Sequence, residues 1–108
     1  MTTSTAGWTF ARSSEIDWQE LGPGVAMKML AGADGRAIAM FRFEPGYVGA
    51  VHEHADSEFS YILEGELIST GVTMTPGDAY AAETGTTHDE FRSDTGCTLV
   101  SVFQTPTG

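Results

Sequence analysis

Short runs that contain the hydrophobic residues follow one another along the chain, and after Gly35 turn-forming residues separate these runs about every 8–12 positions. This rhythm is typical of the strands of an all-β sandwich or barrel. No segment keeps its apolar residues at the spacing of roughly 3.6 positions that marks a helix with one buried face. The pattern therefore predicts an all-β domain built from antiparallel strands.

Turns rich in Gly, Pro and Asp set the bounds of the predicted strands, because Pro presets φ and Gly allows a positive φ. The predicted strands are Val25–Leu30, Arg36–Phe43, Val48–His54, Glu58–Leu63, Glu66–Ser69, Val72–Thr75, Ala79–Ala82, Thr87–Arg92 and Cys97–Gln104. Residues 1–7 are rich in Thr, Ser and Gly, and we expect a flexible N-terminus there. Residues 8–35 are predicted to form N-terminal strands that pack on a barrel formed by residues 36–108.

Length and composition indicate one folded domain. The chain has 108 residues, of which 41% are hydrophobic and 10% aromatic, so it can bury a core and is not disordered as a whole. No apolar run is long enough to span a bilayer, and the first residues lack the basic and apolar regions of a signal peptide. The single cysteine, Cys97, cannot form an internal disulfide and suits a reducing compartment. We therefore expect a cytoplasmic protein.

The net charge bears on the partners that the chain can bind. The sequence has 5 Lys and Arg residues against 15 Asp and Glu residues, which gives a formal charge of −10 at pH 7. Nucleic acids and anionic membrane surfaces are bound by basic patches, and this composition does not favour such patches. We therefore expect neither nucleic acid nor a membrane as a partner.

The histidines are the residues that carry candidate chemistry. His52 and His54 lie two positions apart on a predicted strand, so both side chains point to the same face. Glu58 opens the next predicted strand and His88 lies in a later one, so pairing within a barrel can bring all four side chains to one point. The alternative is that these are ordinary core or surface histidines and that their spacing is chance.

Three neutral imidazoles and one carboxylate suit a divalent first-row metal such as Fe, Mn, Ni, Cu or Zn. With one negative charge from Glu58, a divalent ion leaves the loaded site with a single net positive charge, which favours an anionic or enolisable ligand. The sequence therefore predicts a metal centre formed by His52, His54, Glu58 and His88. The expected partner is a small-molecule substrate or ligand.

Glycines frame these residues in a way that resembles a known family, the cupins. The first cupin motif is Gly, five residues, His, one residue, His, three or four residues, Glu, six residues and Gly. It is matched here at Gly46, His52, His54, Glu58 and Gly65. The resemblance implies a cupin double-stranded β-helix, which is a jelly-roll barrel with a metal at its wider end.

The second cupin motif is matched in part. It is Gly, five residues, Pro, one residue, Gly, two residues, His, three residues and Asn. The matching positions are Gly77, Gly85 and His88. Glu83 stands where Pro is usual and Arg92 where Asn is usual, so the ligand is kept while the local turn departs from the family pattern.

The N-terminal part indicates a closer group within the cupins. The stretch from Trp18 to Leu30, ahead of Glu44-Pro45-Gly46, is similar to small cupins of the anti-sigma-factor C-terminal type. That group lies near the acetylacetone-cleaving and dihydroxyacetophenone dioxygenases. Dioxygenases of the acetylacetone-cleaving type rely chiefly on three histidines, so Glu58 is a departure as a fourth ligand.

The resemblance implies three candidate functions. The first is an Fe(II)-dependent dioxygenase acting on a small enolisable ketone or diketone, with Zn, Mn or Ni as alternative metals. The second is a metal-binding or ligand-sensing cupin that holds zinc without turnover. The third is a non-redox metal-dependent isomerase, cyclase or lyase.

Glu83 is the candidate catalytic residue outside the ligand set. It lies five positions before His88, at the start of the predicted strand, where a carboxylate can take up a proton as a general base. The alternative is that Glu83 is a solvated turn residue.

One strand also presents an apolar face away from the predicted metal. Phe59, Tyr61 and Leu63 share the face opposite to Glu58. Outward apolar residues on a barrel strand pack against another segment or a partner subunit. We therefore expect a homodimer.

Overall fold

The protein is described by a computed structural model over residues 2–105. Its strands, numbered in chain order, are β1 Thr2–Thr5, β2 Trp8–Ala11, β3 Gln19–Gly22, β4 Val25–Ala33, β5 Arg36–Phe43, β6 Tyr47–Val48, β7 His52–Glu53, β8 Glu58–Gly65, β9 Leu67–Ser69, β10 Val72–Met74, β11 Ala79–Ala82, β12 Thr87–His88, β13 Phe91–Ser93 and β14 Cys97–Gln104. A single 3-10 turn at Ser13–Glu15 is the helical element of this described range. None of its helical segments is long and apolar enough to cross a membrane.

The strands form two main antiparallel sheets. A six-stranded sheet has the order β11-β8-β14-β5-β4-β3, and a four-stranded sheet has the order β10-β9-β13-β6. A short ribbon, β12-β7, stands apart from both sheets, as does the N-terminal pair β1-β2. This is the jelly-roll barrel that the sequence predicted, and the expected all-β fold is confirmed.

The core lies between the two main sheets. Ile62 and Leu99 from the six-stranded sheet and Leu67 from the four-stranded sheet are fully buried and belong to one cluster with Phe43 and Met74. Burial of such side chains is the main favourable term in folding, at about 1.5–3 kcal/mol for each large aliphatic or aromatic residue. The cluster therefore joins the sheets and fixes their separation next to the candidate site.

The predicted strands agree with the structure at three places, namely Arg36–Phe43, Ala79–Ala82 and Cys97–Gln104. The single strand predicted over Val48–His54 is wrong, because β6 pairs with β13 while β7 pairs with β12. The strand predicted over Thr87–Arg92 is divided in the same way, into β12 and β13. Next to the paired strands β6 and β13 of the four-stranded sheet, the same two chain segments pair again as β7 and β12. This second pairing is the ribbon, and it carries two of the predicted ligands, His52 and His88.

The N-terminal region adds strands at the edge of the molecule. Thr2–Thr5 pairs with Trp8–Ala11 across a turn at Ala6 and Gly7, both of which have positive φ. The composition of residues 1–7 did not indicate this pairing, and their expected flexibility stays a prediction. Strands β3 and β4 extend the six-stranded sheet, so the part of the segment from Gln19 to Ala33 continues the barrel wall, whereas β2 pairs with β1 outside it.

Part of the outer surface of the six-stranded sheet is apolar. Phe59, Tyr61 and Leu63 are 49%, 46% and 40% exposed, whereas Ser60 and Ile62 between them are buried. The cross-strand register continues this surface over four strands, and we call these residues the outer apolar face: Ile38, Met40, Phe59, Tyr61, Ala79, Ala81, Val100 and Val102. The face expected from the alternation within β8 is thus part of a wider surface.

Candidate metal centre

The structure brings the three predicted histidines together. His52 and His88 are direct partners in the β7-β12 ribbon, and His54 follows β7. The backbone holds His54 beside the same ribbon, because its N–H donates to Thr86 O at 2.8 Å and its carbonyl accepts from Gly85 N at 2.8 Å. One ring nitrogen from each histidine lies within 4.8 Å of the others. This clustering follows from the ribbon that the sequence did not predict.

The tautomer of the neutral His54 ring follows from its neighbours. The hydroxyl of Thr86 has one proton, which it donates to the Glu83 carbonyl oxygen at 2.6 Å. Thr86 Oγ1 must therefore accept the hydrogen bond that joins it to His54 Nδ1 at 3.0 Å. The proton of the neutral ring is on Nδ1, and Nε2 carries a lone pair.

The His54 Nε2 atom is buried and has no hydrogen-bond partner. It lies 3.5 Å from Glu58 Oε2, so a lone pair faces a carboxylate oxygen. Two acceptors so placed repel each other unless a cation lies between them, and a buried polar atom without a partner costs free energy. This geometry fits a metal ligand.

The other two rings are held by their Nδ1 atoms as well. His52 Nδ1 lies 3.1 Å from the Ala50 carbonyl oxygen, which can only accept, so this nitrogen carries the proton. His88 Nδ1 lies 3.1 Å from Ser69 Oγ. Contacts of this kind orient an imidazole so that its Nε2 atom is presented to an ion.

Glu58 lies beside the histidines, as predicted, and Tyr80 holds it in place. Its Oε2 atom is 3.5 Å from His54 Nε2 and 3.8 Å from His88 Nε2. Tyr80 donates a hydrogen bond of 2.6 Å to the same oxygen. Tyr80 is a site residue that the sequence reasoning missed. The usable signal was its place on β11, the strand beside β8, with alternation turning it inward.

The electrostatics of the site are defined for two of its side chains, His88 and Tyr80. Burial, followed by the neighbouring His54 and His52, lowers the pKa of His88, and these effects outweigh the raising effect of Glu58. Burial and the Glu58 carboxylate raise the pKa of Tyr80, so its hydroxyl stays protonated and remains a donor. Three neutral imidazoles and one carboxylate are a donor set that suits a divalent ion.

Glu83 does not bring its carboxylate to this site. The side chain is exposed and is not among the residues that line the cavities beside the histidines. Its carbonyl oxygen instead accepts from Thr86 N at 3.1 Å and from Thr86 Oγ1 at 2.6 Å. The geometry therefore gives no support to the predicted base and assigns Glu83 a main-chain part in orienting His54.

Two cavities adjoin the site. A space of about 90 Å³ lies on the core side, and its lining includes Phe41, Phe91, His52 and Glu58. A much larger cavity of about 810 Å³ opens between the edge strands β10 and β11, and its lining includes His54. His88 and Tyr80 line both cavities, so the site lies on the wall between them.

Comparison with models of protein families shows which family the chain belongs to. A family model described as the ChrR cupin-like domain matches residues 7–106. The chain belongs to this cupin family. The resemblance to small cupins of the anti-sigma type, predicted from the sequence motifs, is thereby confirmed.

Individual relatives of this cupin include proteins named for pectin degradation. The pectin degradation protein KdgF of Dickeya dadantii is 28% identical over 100 residues, covering 82% of this chain and 86% of its own. The structure of KdgF from Halomonas sp. matches with a TM-score of 0.79 at 25% identity, covering 91% of this chain and 95% of that one.

More distant structures show the shared fold. A candidate acetylacetone dioxygenase from Methylibium petroleiphilum matches with a TM-score of 0.83 at 17% identity, covering 96% of this chain and 81% of that one. The anti-sigma factor ChrR of Rhodobacter sphaeroides, solved in complex with SigE, matches with a TM-score of 0.76 at 19% identity. That match covers 86% of this cupin, which spans 51% of the other chain.

Proposed function

We propose that this cupin is a metal-dependent enzyme that acts on a small enolisable ketone or diketone. The observation that carries the proposal is the buried His54 Nε2 atom, which has no hydrogen-bond partner and faces Glu58 Oε2 at 3.5 Å. A divalent ion between these two atoms would satisfy both of them. His52 and His88 lie close enough to complete the ligand set.

Fe(II) is the metal that we propose, with Zn, Mn and Ni as alternatives. His54, His88 and Glu58 make up a set of two histidines and one carboxylate, a combination that recurs in non-haem Fe(II) oxygenases. His52 adds a third imidazole from the paired strand. When bound, iron would supply activation of O₂ for cleavage of the ketone.

The remaining contributions come from the chain itself. Phe41, Phe43 and Phe91 line the small cavity beside the site and exclude water from it. Glu58 would hold the ion as a carboxylate, so the proton released when the ketone enolises would leave to solvent through the open cavity beside the histidines. Tyr80 fixes the position of that carboxylate through its hydrogen bond.

A second candidate is a non-redox isomerase, cyclase or lyase that uses the same centre. The 28% identity to a pectin degradation protein favours it, because breakdown of a polysaccharide needs no oxygen. The number of candidate ligands favours it as well, because four residues of the chain would hold the ion, and a reaction without O₂ needs only the substrate as a further ligand.

The test is reconstitution with Fe(II) in the absence of oxygen, followed by measurement of O₂ uptake with acetylacetone. We expect stoichiometric iron and consumption of one O₂ for each diketone lost. Glu58→Gln should reduce the rate at least about 100-fold, since truncating ligand or acid-base groups costs factors of this size. Glu53→Gln makes the same chemical change at an exposed neighbouring position and should keep the activity.

The other outcomes discriminate among the remaining functions. Turnover that persists without oxygen, and with Mn or Ni, would move the assignment to the non-redox reaction. Stoichiometric zinc with no turnover of any tested carbonyl compound would indicate a sensing or binding protein. Failure to bind any divalent metal after reconstitution would contradict the proposed metal centre and with it the proposed function.

A further inference from the structure

The larger cavity is the space beside the histidines in which a ligand can fit. Its volume of about 810 Å³ falls within the range of roughly 300–1,000 Å³ that small-molecule sites occupy. The cavity on the core side is about 90 Å³, room for about three water molecules at roughly 30 Å³ each. A ligand of the proposed class must therefore place most of its atoms in the larger cavity.

The charged side chains that line this larger cavity are both acidic. They are Asp78 and Asp89, and within the described part of the chain no lysine or arginine lines it. Asp78 is fixed by the turn before β11, where its Oδ2 atom accepts from Thr75 N at 2.9 Å. Asp89 is exposed and directly follows His88.

Neutral hydroxyl groups make up most of the other polar side chains that line the cavity. Ser69, Thr70, Thr73 and Thr87 belong to its lining, and these side chains can donate and accept without carrying charge. Arg92 on the adjacent strand β13 cannot serve as a counter-ion, because its guanidinium is bound to both Glu90 and Asp94. Arg92 is also absent from the lining.

The charge balance of the centre sets how much negative charge a ligand can bring. A divalent ion, three neutral imidazoles and the Glu58 carboxylate leave a single positive charge. An enolate neutralises that charge in direct contact with the ion. A further negative group on the same ligand would lie in the cavity with Asp78 and Asp89 and would be repelled by both carboxylates.

We propose that this cavity selects carbonyl ligands that carry at most one negative charge and excludes polyanionic ones, with Asp89 as the main specificity-determining residue. The inference rests on the proposed metal-dependent function. The inference adds the substrate class to that function. The metal centre by itself would attract any anionic chelator, and the acidic residues of the cavity wall would weaken the binding of chelators that carry a second negative charge.

The experiment compares two ligands that share one chelating group. The first is acetylacetone with a carboxyethyl group on its central carbon, and the second is the neutral ethyl ester of that compound. Both are titrated in the absence of oxygen into protein loaded with Co(II), and the visible absorption of the cobalt reports binding. We expect the ester to bind about tenfold more tightly, a factor that corresponds to repulsion between charges several ångströms apart in a partly shielded site.

Two variants that change the charge test whether Asp89 causes the difference in affinity between the two ligands. Asp89→Lys should bring the affinities of the two ligands to within about twofold of each other, by strengthening the binding of the carboxylate. Glu64→Lys makes the same change in net charge on the exposed end of β8, outside the cavity lining, and should keep the discrimination of the unmodified protein.

Equal binding of the two ligands to the unmodified protein would overturn the inference, as would equal effects of Asp89→Lys and Glu64→Lys. Absence of any ligand-induced change in the cobalt spectrum would overturn it too. Failure of the proposed function has a different signature. Selective binding of the ester without turnover would leave the inference standing and remove the enzymatic proposal.

Discussion

At the scale of single residues, Thr86 determines which nitrogen of His54 is available to an ion. Its one hydroxyl proton goes to the Glu83 carbonyl, so Thr86 accepts from His54 Nδ1. This contact leaves the lone pair on Nε2, next to Glu58. A turn residue with no contact to an ion thereby sets the tautomer of a ligand.

Replacing Thr86 by Val keeps the shape of the side chain and removes the acceptor for His54. We expect Thr86→Val to weaken metal affinity about 10-fold to 100-fold, the range found when groups that orient a ligand are removed. Competition with a chromophoric chelator measures the affinity. Thr86→Ser should restore it, and Thr87→Val, one position along the chain, should leave it unchanged. Equal affinities of Thr86→Val and the unmodified protein would show that the hydroxyl does not orient His54.

Much of the candidate site could be predicted from residue spacing, and the rest could not for physical reasons. Period two along a strand and the spacing of the motif bring His52, His54 and Glu58 to one place. Tyr80 escaped prediction because its contact with Glu58 depends on the register of β11 against β8, where Tyr80 lies opposite Ser60. The base role of Glu83 stays a prediction, because spacing along the chain does not reveal whether a turn presents a side chain or a carbonyl.

At the scale of elements, Gly65 explains one fixed position of the first cupin motif. It ends β8 with φ at +76°, and a Cβ there would lie 2.0 Å from the Gly96 carbonyl oxygen. The end of β8 therefore approaches the backbone of the turn before β14 too closely for any side chain. This approach positions the strand that begins with Glu58.

Gly65→Ala should lower the free energy of unfolding by about 2–5 kcal/mol, which combines left-handed backbone strain with overpacking. Gly71→Ala is the matched control, because Gly71 has φ at +77° and nothing within 4 Å of its Cβ position. Gly71→Ala should lower the free energy of unfolding by only about 1–2 kcal/mol, the contribution of the left-handed backbone strain. Urea denaturation of both variants measures the difference. Equal destabilisation would mean that the backbone of Gly96 moves aside.

Strand bounds were predicted well where a strand keeps the same partners along its length and poorly where the chain changes sheets. Arg36–Phe43 and Cys97–Gln104 pair along their whole length, so hydrophobic alternation and flanking turns define them. The runs over Val48–His54 and Thr87–Arg92 are also flanked by turn residues, although each is divided between a sheet and the ribbon. Alternation reports which face is buried and carries no information about the partner strand.

At the scale of the whole molecule, the outer apolar face is a neutral region on a strongly acidic protein. The chain has a net charge of −10, whereas the eight residues of this face are uncharged, and the same sheet surface continues into the cationic side chains of Arg42 and Lys28. Two copies of a strongly acidic protein repel each other least where neutral surfaces meet. A sheet face is also self-complementary under a two-fold axis, as an isologous interface requires. We propose a second copy of this chain as the partner that covers the face.

Light scattering after gel filtration should therefore give twice the chain mass of 11.5 kDa. Tyr61→Arg, in the middle of the face, should shift the protein to monomer, because it would bury like charges across the two-fold axis. Val48→Arg is the control, since Val48 is 72% exposed and lies on the other sheet. Raising the salt concentration should strengthen the dimer by screening the net charge. A monomeric mass for the unmodified protein would contradict the proposal.

The ribbon formed by β7 and β12 has one more consequence. It joins only two residue pairs, Thr87 with Glu53 and His88 with His52, and isolated two-stranded hairpins are marginally stable in water. An ion held by His52, His54 and His88 would act as a cross-link between these segments. The free energy needed to unfold this ribbon locally would then depend more on bound metal than on backbone pairing. The lifetime of this protein against proteases would accordingly depend on how much metal the cell provides.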